Sequence, residues 1–445
     1  MSGLHDQLGK RALELLPPWE REFWKQEAEN MPAYCFYPDD HQAAQWDPSP
    51  ERFEFLGKYC IMPNGRLIPH GPVDSEGKCA AFAGDTDPAP TEYAVRYYCR
   101  KIIELLRGNN VVESARFAGT LAHLAQDACI PVHAMNNILI NRLFPDANGR
   151  YFFYHRIVDN HPFDADSISA EPRLLGRTEE ELVFAFMEEM ICKVEHNIGL
   201  LVPFLAAVKN GDVREENRIS QEINADAVRY TVDLWHTLFC IAFDRFEEAD
   251  LRRFDFRDLT DSRMVLSYDK KYDRQKYIDA GIPFYRTLFP EADPCRARLA
   301  TDPYAYEPAF DAAYDGSGNL IPLELIVDGR RRRGARGLAA GAFGIATFRV
   351  PGTVFCELDV FAGVHPDSAS DREVVFGVWC DDAPEPLLAV GRADRKNEAL
   401  HFYLTLPGNC REISLLSAGG DRQTSAVWLS PKLKYRDPFS DRERK

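Results

Sequence analysis

The chain has 445 residues, which is too long for a single hydrophobic core and predicts two or three domains. Its content of 45% hydrophobic and 27% charged residues is ordinary for a globular protein. The formal net charge of -16 argues against a broad binding surface for nucleic acid or anionic membrane. It does not exclude an enzyme that binds a phosphodiester at a metal ion, because the ion dominates the local field.

Targeting and redox signals are weak. No apolar run reaches the roughly 18–20 residues of a membrane span. The first sixteen residues contain no basic start followed by an apolar core, so no signal peptide is predicted. The compartment stays unassigned: cytoplasmic as the chain stands, secreted if a leader was removed. The eleven cysteines are scattered without a C-x-x-C pair, which favours reduced thiols over a disulfide framework.

The first thirty residues predict a helix that ends near Leu16, where Pro17 and Pro18 close it. A second amphipathic stretch covers Trp19–Ala28. His5 lies in the first helix, and taken alone it predicts a solvent-exposed side chain.

Two loop-like segments with ligand-type residues follow. The sequence CFYPDDHQ contains Asp39, Asp40 and His41 around a proline, and IMPNGRLIPHGPVD contains His70 between a proline and a glycine. Acidic loop residues are ordinarily turn formers, so these positions indicate a metal site only if other ligands converge on them.

A helix is predicted over residues 91–108, and the central helix starts after Asn110, with Glu113 in a capping-box-like position. The small residues Gly119 and Thr120 lie one turn before His123 and are expected to leave room for an ion.

The stretch FAGTLAHLAQDACIPVH provides the main metal-ligand pattern. His123 and Asp127 are four residues apart and share one helical face. Pro131 breaks or bends the helix, and His133 follows it. Two imidazoles and a carboxylate suit zinc, but a buried hydrogen-bonded His–Asp pair explains this stretch equally well.

Downstream, His155 and Asp159 repeat the same spacing, and His161 is expected to face away. Helices are predicted over Thr178–Val208 and Ser220–Phe246. Glu195 and His196 on the first of these are expected at the surface or in a supporting role, and His236 on the second is interpreted as structural.

The charge density and the hydrophobic pattern of the sequence change after about residue 250. Residues 251–302 are charge-dense and predict a connector, and residues 437–445 form a polar tail. Residues 303–436 contain short runs of period 2 separated by turn residues, which predicts an antiparallel β-sandwich. The run Arg330–Arg333 is expected to be a solvated turn.

The fold class expected is therefore multidomain, with an all-α N-terminal domain over residues 1–250 followed by an antiparallel β-sandwich. In the helical part, the run H-x3-D-x5-H followed by H-x3-D resembles the zinc-dependent phospholipase C and S1/P1 nuclease superfamily. The resemblance covers residues 1–245, with ligand-type residues in the family's order upstream.

The resemblance implies a cluster of two or three zinc ions. One ion would be held by Asp39, His70, His123 and Asp127, and a second by His133, His155 and Asp159. A third would use His5, with Asp127 as a bridge. Asp40 competes for the place given to Asp39. The family completes its third site with a mature N-terminal tryptophan, whereas this chain begins Met1-Ser2-Gly3.

The implied chemistry is phosphodiester hydrolysis. Two ions can bind the phosphate oxygens and activate a water for in-line attack, and Asp39 would orient that water. A phosphate-binding P-loop, a dinucleotide fingerprint and a zinc ribbon are missing from the sequence.

Three functions stay open. The expected one is a phospholipase C-like hydrolase acting on a phospholipid headgroup. The alternatives are an S1/P1-type single-strand nuclease acting on nucleotides, and a non-catalytic zinc-stabilised protein that binds a glycan or a partner. No stable nucleic-acid complex is expected. Several aromatic residues flank the proposed ligands and fit base stacking, a lipid-facing rim or plain core packing: Tyr34, Phe36, Tyr37, Phe152, Phe153 and Tyr154.

The C-terminal part resembles a carbohydrate-binding module of the NPCBM type, which is a jelly-roll sandwich. The matching features are the strands Val354–Val364 and Val374–Trp379 and the closing stretch GGDRQTSAVWLSPKL with Trp428. Ser425 stands where such modules often carry an acidic residue or histidine. Glycan binding and a scaffold role are therefore both open.

Overall fold

The computed structural model describes residues 3–36, 60–61, 67–68, 90–131, 157–158, 161–261, 265–267, 309–341, 344–380, 387–421 and 423–439. The chain divides into two compact units, Met1–Leu251 and Arg252–Lys445. The first is helical where described, and the second is built from antiparallel strands. The predicted domain limits of 250, 302 and 436 stay a proposal.

The described helices of the first unit include four long ones, with shorter helices on either side in the sequence. They are α1 Leu4–Leu15, α2 Pro18–Phe23, α3 Met31–Phe36, α4 Pro90–Arg107, α5 Val111–Cys129, α6 Glu179–Asn210, α7 Val213–Phe243 and α8 Glu248–Leu251. A 3-10 turn, Lys25–Glu27, follows α2, and the two-residue strands β1 Cys60–Ile61 and β2 Leu67–Ile68 pair antiparallel.

Side-chain caps set the helix starts. The Asn110 side chain accepts a hydrogen bond from the Glu113 N–H at the start of α5, and Thr178 does the same for Glu181 at the start of α6. Both predicted starts are confirmed. Helix α7 begins earlier than predicted, because Asp212 caps it by accepting from the Glu215 N–H.

The core of the first unit lies between its long helices. The rings of Phe186 on α6 and Tyr230 on α7 stack at 4.9 Å, and the Tyr230 hydroxyl donates to the Phe186 carbonyl. Trp235 on α7 is fully buried and donates to the Ala118 carbonyl of α5 at 3.0 Å. These contacts hold α5, the helix with His123 and Asp127, inside the unit.

The strands of the second unit form two larger antiparallel sheets. The described strands are β3 Phe256–Asp258, β4 Val265–Ser267, β5 Ala309–Phe310, β6 Ala313–Tyr314, β7 Leu320–Ile321, β8 Leu323–Val327, β9 Arg330–Gly334, β10 Gly337–Ala340, β11 Gly344–Arg349, β12 Phe355–Val364, β13 Val374–Cys380, β14 Leu387–Ala393, β15 Leu400–Thr405, β16 Glu412–Gly419 and β17 Ala426–Tyr435. One larger sheet has the order β15-β12-β17-β10-β5 with β3 also paired to β17, and the other has the order β14-β13-β16-β11-β4.

The two sheets touch through buried aromatic rings. Phe376 on β13 meets Trp428 on β17 edge to face at 5.4 Å, and both are fully buried. The prediction of an antiparallel sheet region is confirmed, and its jelly-roll form stays a prediction. Residues 256–258, inside the predicted connector, pair as β3 with Lys432–Lys434.

The arginine run is a strand, so the prediction of a turn at Arg330–Arg333 is wrong. It pairs with Leu323–Val327 in a hairpin, and the turn lies at Asp328 and Gly329, both with positive φ. The arginine side chains are exposed, as the sequence indicates.

Candidate metal centre

Three of the eight predicted zinc ligands lie in the part of the chain that the structure describes, and these three meet. They are His5 on α1 and His123 and Asp127 on α5. The other five, Asp39, His70, His133, His155 and Asp159, lie outside the described residues, as do Asp40 and His41. The proposed catalytic role of Asp39 therefore stays a prediction.

The three side chains form one compact group. The Nε2 atom of His123 is 3.1 Å from one carboxylate oxygen of Asp127, and the Nε2 atom of His5 is 3.5 Å from the other. The two imidazole rings are 4.3 Å apart. His5 is 6% exposed, His123 is 1% exposed and Asp127 is 5% exposed. Charge in such a place must be balanced locally, because water cannot reach it. The expectation that His5 is solvent-exposed is wrong, because α1 packs beside α5.

The outer nitrogen of His123 faces an acceptor. Its Nδ1 atom lies 2.9 Å from the Cys35 carbonyl oxygen, which has no proton to give. The Nδ1 atom therefore carries the proton and donates it. In a neutral ring, this leaves the lone pair on Nε2, directed at Asp127.

His5 is oriented in the same way. Its Nδ1 atom is 2.8 Å from the Gln126 side-chain oxygen. The Gln126 amide nitrogen donates to the Thr231 hydroxyl, which itself donates to the Ala227 carbonyl. This chain fixes the amide with its oxygen toward His5, so the His5 Nδ1 atom is also the donor.

Two imidazole lone pairs and a carboxylate thus point into one buried space. A positive charge is needed there, supplied either by a proton on a ring or by a metal ion. Metal-binding histidines typically donate their second nitrogen to a carbonyl or carboxylate oxygen, which fixes the tautomer. The donor set of two nitrogens and one carboxylate fits zinc.

The expectation that Gly119 and Thr120 leave room for an ion is wrong. A Cβ atom at Gly119 would lie 2.6 Å from the Cβ of Tyr34 on α3, so α3 fills that space. The Thr120 hydroxyl donates to the Arg116 carbonyl in its own helix. This close approach of α3 carries the Cys35 carbonyl to His123.

Cys35 and Gln126 are therefore functional candidates that the sequence analysis missed. Gln126 neighbours Asp127 in sequence, but spacing alone could not show that its amide faces α1. The role of Cys35 depends on its backbone carbonyl and on the crossing of α3 over α5, for which the sequence carries no local signal except Gly119.

Other predicted side chains have ordinary partners. His196 is exposed and lies 3.2 Å from Glu222, and His161 is 3.1 Å from the Asn217 side-chain oxygen. The Tyr34 hydroxyl donates to Glu27 at 3.0 Å, so this aromatic residue is engaged in helix packing. Tyr37 and Phe152–Tyr154 lie outside the described residues.

His236, interpreted as structural, contacts Glu20 and Cys240. Its Nδ1 atom donates to Glu20 at 2.7 Å, and the Cys240 sulfur is 3.5 Å from its Nε2 atom. Burial lowers the pKa of His236, but Cys240 and Glu20 outweigh this and raise it to about 10.

In the β-strand unit, Ser425 is buried and its polar groups are used in hydrogen bonds to neighbouring residues. Its hydroxyl accepts from the Tyr314 N–H at 3.3 Å, and its own N–H donates to the Ser368 hydroxyl. This position therefore presents no ligand-binding group to solvent.

No helix in the described segments is long and apolar enough to cross a membrane.

Comparisons with known proteins give weak similarities. No family model and no curated protein matches the chain. Among solved structures, tandem CBM51 modules of a family 98 glycoside hydrolase from Streptococcus pneumoniae are similar at 17% identity and a TM-score of 0.25, covering 28% of this chain. The chain spans 40% of that protein's length and 28% of that of CBM51-2 and INT domains from Clostridium perfringens ZmpB.

Two alpha-toxins are similar over nearly the whole chain. For the alpha-toxin from Clostridium perfringens avian strain SWCP, identity is 11% and the TM-score is 0.32, covering 95% of this chain and 83% of that one. For the alpha toxin from Clostridium absonum, the values are 10%, 0.36, 92% and 84%. At these identities and TM-scores, the similarities establish neither a family nor an activity.

Proposed function

We propose that this chain is a zinc-dependent phosphodiester hydrolase of the phospholipase C-like kind. The observation that carries the proposal is the convergence of the His5 and His123 Nε2 atoms on the Asp127 carboxylate. Each imidazole is fixed by an acceptor on its other nitrogen. A merely structural His–Asp pair needs one imidazole, whereas here a second, equally oriented one shares the same carboxylate.

The residues that would hold zinc follow from this geometry and from the family pattern. His5, His123 and Asp127 supply the described ligands, and Asp127 has an oxygen toward each imidazole. Asp39, His70, His133, His155 and Asp159 are proposed to complete two or three sites. When bound, zinc supplies Lewis-acid polarisation of a phosphoryl oxygen and lowers the pKa of a coordinated water toward 7.

Groups of the protein itself would position the metal ligands and the attacking water. The Cys35 carbonyl and the Gln126 amide hold both imidazoles in the tautomer that presents a lone pair. Asp39 is proposed to orient the attacking water. The chain has a net charge of -16, so an anionic phosphodiester would be attracted by the cationic centre and not by the general surface.

We also propose the division into a hydrolase domain over residues 1–250 and an accessory β-sandwich over residues 303–436. The two compact units and the antiparallel sheets support this division. Glycan binding by the second domain rests on the sequence resemblance, and the buried Ser425 favours a scaffold role at that position.

The test uses the purified full-length protein and p-nitrophenylphosphorylcholine, with single-stranded DNA assayed beside it. We expect zinc-dependent hydrolysis of the choline ester that chelation abolishes. Replacing a ligand in His123→Ala or Asp127→Asn should lower the rate by at least about 100-fold. His196→Ala is the matched control, because that imidazole is exposed and pairs with Glu222.

Each outcome is informative. Zinc-dependent cleavage of DNA without cleavage of the choline ester would identify the nuclease alternative. A folded zinc protein that cleaves neither substrate would support the non-catalytic alternative. Undiminished hydrolysis in metal-free protein would contradict the proposal itself.

A further inference from the structure

A second group of metal-ligand side chains lies elsewhere in the helical unit. Glu20 on α2 meets His236 and Cys240, which are one turn apart on α7. The Glu20 carboxylate is 2.7 Å from the His236 Nδ1 atom, and the Cys240 sulfur is 3.5 Å from Nε2. One ligand atom from each residue lies within 4.8 Å of the others.

The Glu20 side chain carries the second observation. It is 0% exposed, and one of its oxygens accepts from His236. Its other oxygen, Oε2, is buried and has no hydrogen-bond partner among the residues that the structure describes. A buried carboxylate oxygen without a partner is costly, and a cation beside it removes that cost.

Aromatic rings cover one side of this group, while His236 keeps a side-chain exposure of 13%. Glu20 is flanked by Trp19, whose ring contacts Phe239 edge to face at 5.4 Å. Phe239 also packs on the buried Trp24 at 4.5 Å. An apolar wall of this kind strengthens the binding of a charged ion to its ligands.

A third group of candidate ligands, in the β-strand unit, differs from the Glu20 group because its polar atoms already have partners. Glu324, His365 and Asp367 are also close together, but both His365 nitrogens are already used. Nε2 donates to the Pro322 carbonyl, and Nδ1 accepts from the Asp367 N–H. Arg331 already supplies a positive charge to both carboxylates, so this group has no place for an ion.

We propose that Glu20, His236 and Cys240 bind a divalent transition metal ion, separate from the centre at His5, His123 and Asp127. Carboxylate, imidazole and thiolate together suit zinc. Binding would release to solvent the thiol proton of Cys240 and the proton between Glu20 and His236. The ion would tie the short helix α2 to the C-terminal part of α7.

The test is cobalt substitution in the full-length protein. Cys240 is not part of a disulfide, so its sulfur is available as a ligand. Cobalt(II) bound to a thiolate gives a sulfur-to-metal charge-transfer absorption, which cobalt bound to nitrogen and oxygen ligands lacks. We expect apo-protein titrated with cobalt to develop this band to the amplitude of one thiolate-bound ion per chain.

Four variants assign the band. Cys240→Ser should abolish it, and the near-isosteric Glu20→Gln should weaken cobalt binding at this band by at least about tenfold. Cys99→Ser, which changes a buried cysteine on α4, is the matched control and should keep it. His123→Ala should also keep the band while losing hydrolysis, so the two proposals fail separately.

Two results would overturn the inference. One is that saturating cobalt produces no thiolate band in the wild-type chain. The other is that a band of full intensity persists in Cys240→Ser. Circular dichroism verifies that this variant is folded, and if it is not, the Glu20→Gln titration decides.

Discussion

At the residue scale, the tautomers of two histidines determine which ring nitrogens could bind an ion. Acceptors at the Nδ1 atoms of His5 and His123 leave both Nε2 lone pairs directed at Asp127. The Gln126 amide fixes His5, because its oxygen lies 2.8 Å from the His5 Nδ1 atom.

Replacing Gln126 with methionine should lower zinc affinity by about 10–100-fold while the fold is kept. The variant keeps the side-chain volume but removes the acceptor, so the His5 ring can turn or change tautomer. Competition with a chromophoric chelator measures the affinity. Gln221→Met, on the outer face of α7, is the control, because Gln221 bonds the backbone of Asp164. Equal affinity in Gln126→Met and in the wild type would contradict the role given to the amide.

Asp233 allows a pH test of a buried carboxyl. Burial raises its pKa to about 6, although Arg173 donates to it from the backbone and the side chain. The folded state therefore binds the proton more tightly than the unfolded chain does. The stability from this group is full below about pH 4 and is lost as the pH rises through about 6.

The Asp233→Asn variant lacks this titration. The wild-type free energy of unfolding, measured relative to the variant by urea denaturation, should fall by about 2 kcal/mol between pH 4 and pH 7. A difference that stays constant or grows over this interval would refute the assignment.

Part of the metal centre could be predicted from sequence. The spacing of His123 and Asp127 places them on one helical face, and the family pattern added His5. The supporting groups could not be predicted, because the Cys35 carbonyl and the Gln126 amide reach the histidines through the packing of separate helices. A backbone carbonyl also has no residue type that could mark it.

At the scale of elements, the crossing of α3 over α5 positions the centre. The two helices approach so closely at Gly119 that a side chain there would overlap Tyr34 and approach the Met31 carbonyl. The same short helix meets α1 at Gly9, where a Cβ atom would lie 2.6 Å from the Cys35 sulfur. Two glycines therefore let α3 pack against both helices that supply described ligands.

Gly119→Ala should destabilise the protein by about 1–3 kcal/mol, because the added methyl group forces α3 away from α5. It should also weaken zinc binding, since the Cys35 carbonyl moves with α3. Gly199→Ala is the matched control, because a Cβ atom at this helical position meets nothing within 4 Å. That change should stabilise by up to about 1 kcal/mol.

Urea denaturation and zinc titration of both variants measure these effects. The prediction is contradicted if Gly119→Ala is as stable as Gly199→Ala and binds zinc as tightly. The crossing of α3 over α5 would then tolerate the extra methyl group.

The elements themselves were predictable where local signals are strong. Asn110 and Thr178 marked helix starts, and alternating apolar residues marked the long strands. The arginine strand was missed because four charges resemble a solvated loop, whereas its structure depends on a hairpin turn and on pairing with Leu323–Val327. Arg332 also lies over the Phe361 ring at 4.8 Å, a contact that pattern reading does not detect.

At the scale of the whole molecule, the proposed zinc ligands that the structure describes all belong to the helical unit, which spans Met1–Leu251. A ligand that binds the folded state stabilises it by an amount set by its concentration relative to its dissociation constant. At a hundredfold excess, this amount is about 2.7 kcal/mol. The β-strand unit contributes none of these ligands.

Chelation should therefore lower the melting temperature of the helical unit by roughly 5–10 °C in the full-length protein. The loss of helical circular dichroism on heating measures this transition. The shift should shrink in His123→Ala, which has lost a ligand already. A helical transition that does not respond to chelator would argue against a tightly bound ion.

The shared-ion claim is tested most directly by anomalous diffraction at the zinc absorption edge, using crystals of the full-length protein grown with zinc. We expect anomalous density for zinc at about 2.0–2.2 Å from each of the His5 and His123 Nε2 atoms, with an Asp127 oxygen at the same distance from the metal. Contrary evidence would be a map with no peak at this position, in which the three side chains bond to one another instead.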